Sequence, residues 1–276
     1  MVARPAGSTE RAQAPIGIFD AGLGGLTVAR AVIDLLPNED LIYFGDTARC
    51  PYGPRPPEQI RGFALEIADF LVEQGVKLIV VACNSAESAG FYEATGRYDV
   101  PIVSVIEPGV RAAIAATRNR RIGVIGTEAT IDSGAYAEAV AATRANVELV
   151  SKACPKFVEF VEAGDTTSDA VLAAAEEYLL PLKDGQIDTL ILGCTHYPLL
   201  SGVIQYVLGD EIVLISSAEP TANEVYARLF EADLLDRSGE PGDLRFVLSG
   251  DTDAELGRRF LGPEFANVSY RPWNAP

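Results

Sequence analysis

The chain is poor in several residue types that mark common kinds of site. Its 276 residues include one histidine, one methionine, one tryptophan and four cysteines. No two cysteines form a C-x-x-C pair, and with a single histidine this argues against a structural zinc site. No apolar run approaches the ~18 residues that cross a bilayer, and residues 1–14 lack the hydrophobic segment of a secretory signal. We therefore expect a cytoplasmic protein with reduced thiols, no membrane contact and a disordered leader over residues 1–14.

Signals for nucleotides and cofactors are missing as well. Lysine occurs at only four positions, none of them in an obvious phosphate-binding loop, which argues against pyridoxal phosphate. The chain has no G-K-[ST] motif, and Thr27 stands where the dinucleotide fingerprint G-x-G-x-x-G requires its third glycine. The sequence therefore favours neither pyridoxal phosphate nor a nucleotide as a ligand.

Charge of one sign dominates the chain. It carries 39 acidic and 22 basic residues, a formal charge of −17. Such a balance repels phosphate backbones and anionic membranes, so we expect no direct binding to nucleic acid. A small anionic substrate is compatible with this net charge, because backbone N–H groups can hold a carboxylate inside an acidic protein. The glycines in the turn 21–25, which opens a helix, are predicted to let backbone amides approach such an anion.

Short apolar runs alternate with segments of helical periodicity along the chain, a pattern typical of parallel sheets covered by helices. The predicted strands are 16–20, 41–44, 78–82, 102–106, 121–127, 147–150, 189–193, 213–215, 245–248 and 268–270. The predicted helices are 26–36, 58–74, 134–143, 156–163, 168–181, 221–230 and 252–261.

The pattern that begins at residue 16 begins again at residue 121, which indicates a weak internal duplication. We therefore predict an α/β fold of two pseudo-symmetric, open and mainly parallel domains, with the active site in the cleft between them. Residues 15–105 plus 218–276 would form the first domain, and residues 106–217 the second.

Two cysteines stand at equivalent strand ends of the two halves. Cys83 follows the apolar run Leu78–Ala82, and Cys194 follows Thr189–Gly193. Parallel sheets carry their sites at the carboxyl ends of strands, so the two thiols would point into one cleft. A thiolate can accept a proton while a thiol opposite donates one. A chiral C–H placed between them would be racemised or epimerised without an electron-sink cofactor.

Simpler interpretations of the same residues stay open. Either cysteine can be a small buried hydrophobe. Asp20 and Asp46, which each follow a strand, can be turn or cap residues as readily as functional carboxylates. His196 is placed to hydrogen-bond Cys194 or a substrate, although a lone histidine is more often structural.

Six motifs between about residues 16 and 262 carry a family resemblance that covers nearly the whole chain. They are Gly17–Val28, Tyr43–Gly53, Ala82–Ala86, Gly123–Ile131, Ala153–Val158 and Leu192–Pro198. In these motifs the chain resembles the glutamate racemases. The resemblance implies two α/β domains with the active site between them, and a cofactor-independent racemase that interconverts L- and D-glutamate and supplies D-glutamate for bacterial peptidoglycan.

Residue roles also follow from the resemblance. It implies that Cys83 takes the α-proton of D-glutamate with support from Asp20, and that Cys194 takes that of L-glutamate with support from His196. Asp46 and Glu162 match acidic positions of lesser importance. The implied substrate-binding residues are Ala21, Pro51, Tyr52, Gly53, Asn84, Ser85, Thr127, Thr130, Thr195 and His196. The implied partners are a second copy of the chain and, for some actinobacterial relatives, DNA gyrase.

Two positions depart from the family pattern. Ala21 stands where the family has serine, so a hydroxyl expected near the substrate is absent, whereas Ser85 replaces threonine and keeps the hydroxyl. The first change motivates a second hypothesis, in which the same two thiols racemise aspartate or another small amino acid. A third makes the chain a mainly non-catalytic binding protein, such as a gyrase inhibitor, and the intact cysteine pair argues against it.

Overall fold

Parallel sheets with helices on their faces make up the molecule. The computed structural model describes residues 8–91, 96–252, 254–266 and 268–273. The strands in these ranges are β1 Ile16–Asp20, β2 Leu41–Gly45, β3 Leu78–Val81, β4 Ile102–Ser104, β5 Arg121–Gly126, β6 Glu148–Ala153, β7 Thr189–Gly193, β8 Val213–Ser216, β9 Leu244–Leu248 and β10 Val268–Tyr270. All their pairings are parallel, and the predicted α/β fold class is confirmed.

Helices connect the strands throughout. Over the same described ranges they are α1 Ser8–Ala12, α2 Leu26–Leu35, α3 Pro57–Glu73, α4 Asn84–Ser88, α5 Ile106–Ala116, α6 Glu128–Asp132, α7 Ala135–Thr143, α8 Lys156–Glu162, α9 Asp169–Asp184, α10 Ser201–Leu208, α11 Ala218–Glu231 and α12 Ala254–Leu261. A 3₁₀ turn covers Tyr197–Leu200. None of the helices in the described part is long and apolar enough to span a membrane.

The two sheets repeat one strand order. Within the described residues, the larger sheet has the order β10-β9-β2-β1-β3-β4 and the smaller one β6-β5-β7-β8. The run β2-β1-β3-β4 therefore recurs as β6-β5-β7-β8, in agreement with the duplication seen in the sequence. In this correspondence β3 matches β7, so Cys83 and Cys194 follow equivalent strands. β9 and β10 return to the larger sheet, which is compatible with the predicted domains, whose boundaries stay a prediction.

Apolar burial on both faces explains why these segments are strands. β1, β2, β3 and β7 are buried along their whole length, as expected for parallel strands covered by helices on each side. The helix α11, which follows the last strand of the smaller sheet, packs against α2 and α5. One apolar cluster runs through both units and includes Val80, Phe157 and Leu192. The two halves are thus joined by a shared core.

Several element ends differ from the prediction for local reasons. The strand predicted to reach residue 106 ends at Ser104, because the Glu87 carboxylate accepts hydrogen bonds from the N–H groups of Val105 and Ile106, both at 3.0 Å, where α5 begins. α6 is not among the predicted helices, and its first turn is capped by Thr127, whose Oγ1 accepts from the N–H of Thr130 at 3.3 Å. α9 continues past Pro181 to Asp184.

A buried lysine, Lys77, lies directly before β3 at the amino-terminal end of that strand in the larger sheet. Lys77 and Glu39 form an ion pair whose side chains are 2% and 3% exposed. Lys77 Nζ also donates to the carbonyl groups of Ala12 and, at 3.0 Å, Leu234. Burial raises the pKa of the Glu39 carboxyl, which the ammonium group of Lys77 opposes. The pair and the two carbonyl groups join four distant parts of the chain, at residues 12, 39, 77 and 234.

Part of the predicted leader therefore has a defined place. α1 lies inside the stretch 1–14, Ala12 is 3% exposed, and its carbonyl is an acceptor for Lys77. A buried ammonium group needs such acceptors, which gives the segment a reason to pack against the body of the protein. Residues 1–7 of the predicted leader lie outside the described residues.

Replacing Lys77 alone would leave the Glu39 carboxylate buried without its cation. We expect Lys77→Ala to lower the free energy of unfolding by about 3–5 kcal/mol, as for other broken buried pairs. The double replacement Lys77→Met with Glu39→Leu should recover most of that loss, because apolar side chains fill the space without a charge. Urea unfolding of the three proteins measures the difference. A Lys77→Ala protein as stable as the wild type would contradict the structural role of the pair.

Candidate active site

A cavity of ≈ 180 Å³ lies at the carboxyl ends of the central strands of both sheets. Residues that follow β1 and β3 form one wall, and residues that follow β5 and β7 form the other. The lining residues are Asp20, Ala21, Cys50, Pro51, Tyr52, Gly53, Pro54, Cys83, Asn84, Ser85, Thr127, Glu128, Pro155, Val158, Glu159, Cys194, Thr195 and His196. The two cysteines singled out in the sequence therefore line one cavity from opposite halves.

Cys83 occupies the N-cap position of α4 and is 5% exposed. Burial raises the pKa of its thiol well above the usual range, and the negative charge of Asp20 raises it further. The backbone N–H groups of Ala86 and Ala21 point at the sulfur and oppose this shift. At neutral pH the Cys83 side of the cavity presents a protonated thiol.

Cys194 has a different set of neighbours. The Nδ1 atom of His196 lies 3.9 Å from its sulfur, and the Nε2 atom of the same ring lies 2.6 Å from Glu162 Oε1. Burial by itself lowers the pKa of this imidazole, but its hydrogen bonds to Cys194 and Glu162 raise the pKa to about 10. The ring therefore stays protonated at neutral pH and places a positive charge beside the Cys194 sulfur.

The two sides of the cavity are thus chemically unequal. The Asp20 carboxylate acts on the Cys83 thiol, whereas the protonated ring of His196 lies beside the Cys194 sulfur. The two sulfur atoms therefore have neighbours of opposite charge. This arrangement suits proton removal on one face of a small molecule and proton delivery on the opposite face.

Polar side chains between the thiols join the two halves. Thr195 Oγ1 donates to Asp20 Oδ1 at 3.4 Å. Ser85 Oγ lies 2.9 Å from Thr127 Oγ1, which in turn donates to Thr130 Oγ1 at 3.1 Å. These hydroxyl groups contribute both donors and acceptors to the cavity.

The wall beside them is completed by Asn84, whose Nδ2 donates to the hydroxyl of Tyr136 at 3.0 Å. Among the described residues that line the cavity, none is a lysine or an arginine. A carboxylate bound here would have to be held by hydroxyl, amide and backbone N–H groups, which act as hydrogen-bond donors without a full charge.

The loop 46–53 closes one side of the cavity and contains a cis peptide bond between Cys50 and Pro51. Tyr52 is 2% exposed and donates its hydroxyl hydrogen to Asp46. Asp46 itself is fully buried and does not line the cavity. The Asp46 carboxylate lies behind the loop, where it accepts hydrogen bonds from the side chains of Arg49 and Tyr52.

The glycine turn after β1 lies where the two halves approach each other, and its predicted role in holding an anion stays a prediction. A Cβ atom at Gly24 would lie 2.4 Å from Thr195 Oγ1 and 2.5 Å from His196 Nδ1, and one at Gly25 would lie 2.5 Å from the Cβ of Asp20. Neither glycine lines the cavity. The absence of side chains here lets the two halves approach each other closely enough for Thr195 Oγ1 to reach Asp20 Oδ1 at 3.4 Å.

Known proteins similar to this chain are racemases. The family described as Asp/Glu/Hydantoin racemase matches residues 26–225 of the chain. A glutamate racemase of Beutenbergia cavernae is 56% identical over 269 residues, which cover 92% of both chains. The chain belongs to the Asp/Glu/Hydantoin racemase family. It is therefore an isomerase of the racemase type, and the resemblance to glutamate racemases seen in the six motifs is confirmed.

Solved structures of family members share the fold. The glutamate racemase of Francisella tularensis, solved in complex with D-glutamate, has a TM-score of 0.88 at 36% identity and covers 94% of this chain and 98% of its own. A glutamate racemase isoform from Bacillus anthracis has a TM-score of 0.86 at 39% identity, with 95% of this chain and 98% of its own covered. The two-unit arrangement is thus common to this chain and to these racemases.

Most of the residues assigned from the family pattern meet at the cavity. Those that line it are Asp20, Ala21, Pro51, Tyr52, Gly53, Cys83, Asn84, Ser85, Thr127, Cys194, Thr195 and His196. Thr130, Asp46 and Glu162 lie one layer behind, in hydrogen bonds to Thr127, Tyr52 and His196 respectively. The catalytic and binding roles of these residues stay predictions.

Some lining residues were missed in the sequence. Cys50, Pro54 and Glu128 directly adjoin residues that were singled out, so their nearness in the chain was a usable signal. Pro155 and Val158 belong to the motif Ala153–Val158 and Glu159 follows it at the start of α8, but no site role was predicted for these three residues. They reach the cavity because α8 packs beside the segment after β7.

His196 is the only histidine of the chain, so its ring nitrogens give unambiguous NMR signals. Since its pKa is raised from an ordinary 6.5 to about 10, we expect both ring nitrogens to carry protons at about pH 8, where an ordinary histidine is neutral. In Glu162→Gln the ring should lose its proton at a lower pH, because the carboxylate no longer stabilises the charge. A neutral ring in the wild type at about pH 8 would contradict the assignment.

Gly24→Ala tests the close approach of the two halves. The added methyl must displace Thr195 or His196, and we expect racemase turnover to fall by about 10²-fold, as for other small misplacements at a reacting centre. Gly62→Ala is the matched control, because nothing lies within 4 Å of a Cβ there. That control should keep full turnover and gain up to about 1 kcal/mol of stability from the better helix former. Equal turnover of the two variants would argue against the close contact.

Proposed function

We propose that the chain interconverts L- and D-glutamate by proton transfer between Cys83 and Cys194. The observation that carries the proposal is the shared cavity, which both thiols line from opposite halves with unlike partners. The substrate is inferred from the relatives, since the glutamate racemase of Beutenbergia cavernae is 56% identical. The Francisella tularensis racemase, which shares the fold, was solved with D-glutamate bound.

The reaction from L- to D-glutamate begins with the Cys194 thiolate, which removes the α-hydrogen as a proton. The C–H electron pair stays on the substrate as a carbanion that its carboxyl group delocalises. The Cys83 thiol then delivers its proton to the opposite face of the same carbon. Afterwards Cys194 is a thiol and Cys83 a thiolate, so the reverse direction starts from that state. Two proton transfers at one carbon balance the reaction without an oxidant or reductant.

The neighbours of the thiols have distinct tasks in this scheme. The His196 imidazolium, held by Glu162 at 2.6 Å, stabilises the Cys194 thiolate. Asp20 discourages a second anion at Cys83 until the substrate binds, which keeps the acid protonated. Asn84, Ser85, Thr127 and Thr195 would hold the amino and carboxyl groups of the substrate, and Pro51, Tyr52 and Gly53 would form the wall around its side chain.

The wider biological role follows from the resemblance. D-Glutamate made here would enter bacterial peptidoglycan, and the reaction would proceed without a bound cofactor. The homodimer and a contact with DNA gyrase stay predictions of the same origin. Nothing in the proposed proton transfer depends on either partner.

Ala21 motivates one alternative substrate. Its methyl group faces the cavity where the family pattern has a hydroxyl, so one hydrogen-bonding group is missing from the wall. Under this alternative, aspartate or another small amino acid is turned over by the same two thiols. A panel of enantiopure amino acids, each assayed by circular dichroism for loss of ellipticity, distinguishes glutamate from the alternative substrates. Turnover of glutamate at least as efficient as that of aspartate supports the leading proposal.

Replacing either thiol tests the mechanism. We expect Cys83→Ser and Cys194→Ser each to lower racemisation by about 10²–10⁴-fold, the range that one general acid or base contributes. Cys154→Ala is the matched control, because Cys154 is also fully buried but lies outside the cavity. That variant should keep wild-type turnover per folded molecule. Full activity in Cys194→Ser, or an equal loss in Cys154→Ala, would contradict the two-thiol mechanism.

A further inference from the structure

The single tryptophan of the chain lies behind the loop that closes the cavity. Trp273 follows the edge strand β10 and is partly buried against the core of the larger sheet. Its Nε1 donates to Asp46 Oδ1 at 2.8 Å, and its ring lies 5.4 Å from that of Phe44. A residue near the end of the sequence thereby touches the base of the loop 46–53.

Asp46 divides its two carboxylate oxygens between the loop and the rest of the protein. Oδ2 accepts hydrogen bonds from Tyr52 and, at 2.7 Å, from Arg49 Nε, and both donors belong to the loop. Oδ1 accepts from Ser249 at 2.7 Å and from Trp273 at 2.8 Å, and these donors follow β9 and β10, two strands of the larger sheet. The fully buried carboxylate therefore joins the loop to the end of the chain.

Arg49 is a second link between the loop 46–53 and Trp273. Its guanidinium carbon lies 3.9 Å from the ring centroid of Phe63 and 4.2 Å from that of Trp273, so the cation is placed between two aromatic faces. Its Nη1 also pairs with Glu66 at 2.6 Å. Removal of the indole would take away one face of this sandwich and one of the four donors to Asp46.

The other end of the loop faces the cavity. Cys50, Pro51, Tyr52 and Gly53 line it, and the carbonyl of Gly53 accepts a hydrogen bond from the N–H of Ala129 at 3.2 Å, from the opposite half. The loop is thus held at Asp46 by the larger sheet and at Gly53 by the smaller one. A shift at Asp46 moves Tyr52 directly, because the two side chains share a hydrogen bond.

We propose that Trp273 is a positioning residue for substrate binding: through Asp46 and Arg49 it fixes the loop 46–53 as a wall of the substrate cavity. This inference rests on the proposed racemisation of glutamate, because its effect is measured on that substrate. The loop contains neither of the two thiols that transfer protons. Trp273 therefore governs how well the substrate binds and leaves the chemical step unchanged.

Three variants separate this role from general stability. Trp273→Ala removes the ring and its N–H, Trp273→Phe keeps a ring but removes the donor, and Tyr270→Thr is the matched control. Tyr270 lies on the same strand β10 and is 55% exposed, and threonine keeps the preference for a strand. Steady-state kinetics with both enantiomers and thermal unfolding are measured for all three proteins and the wild type.

We expect Trp273→Ala to raise KM for both enantiomers about tenfold, equivalent to ~1.4 kcal/mol of binding, while kcat stays within about twofold because the thiols are untouched. Trp273→Phe should show a smaller rise, and Tyr270→Thr should match the wild type. A Trp273→Ala protein that unfolds at a lower temperature but keeps the wild-type KM would overturn the positioning role. So would a loss in kcat alone.

Intrinsic fluorescence gives a second readout, since Trp273 is the only indole. In the wild type we expect a saturable change of emission on addition of glutamate, and loss of that change in Tyr52→Phe, which lacks the hydroxyl that contacts Asp46. No saturable change in the wild type would overturn the coupling. Absence of glutamate turnover in the wild type contradicts the proposed function instead. Turnover with unchanged kinetics in Trp273→Ala contradicts only the role of Trp273.

Discussion

The close approach of two backbone segments at the cavity is the contact on which the rest of the site depends. On one side is the glycine turn after β1, and on the other are Thr195 and His196 after β7. A side chain at Gly24 would occupy the space of both, and Thr195 Oγ1 reaches across to Asp20 at 3.4 Å. Without this contact, thiols borne by two separate sheets would have no reason to share one cavity of ≈ 180 Å³.

The two halves share one strand order, but the side chains next to their cysteines differ in charge. Cys83 and Cys194 follow equivalent strands, yet one thiol faces the Asp20 carboxylate and the other an imidazolium held by Glu162. Burial strengthens both effects, because charges in a water-poor site interact more strongly than in solvent. The repeated topology thus supplies two sulfur atoms at equivalent positions, and their neighbours differ in charge. The backbones of the two halves share one strand order. The proposed function depends on the side chains, which differ between the halves.

Local patterns predicted the parts of this structure that depend on local interactions. The continuous apolar runs at Leu78–Val81 and Thr189–Gly193 are strands within a residue of the prediction, and the repeat of strand order placed both cysteines at equivalent ends. Contacts between distant segments could not be predicted in this way. The close contact of Gly24 with Thr195 and His196 is one example, because it forms only when the two halves pack together. The bond from Trp273 to Asp46 likewise exists only once β10 has joined the sheet.

The central claim is that protons leave and arrive on opposite faces of one carbon. Incubation of L-glutamate with the wild-type enzyme in D₂O, followed by isolation of both enantiomers at early conversion, tests it most directly. Two thiols on opposite walls predict D-glutamate with deuterium at Cα, because the Cys83 thiol has exchanged with solvent, and recovered L-glutamate that keeps its original hydrogen. D-Glutamate that carries the substrate's own hydrogen would instead require a single base on one face, and would contradict the two-thiol mechanism.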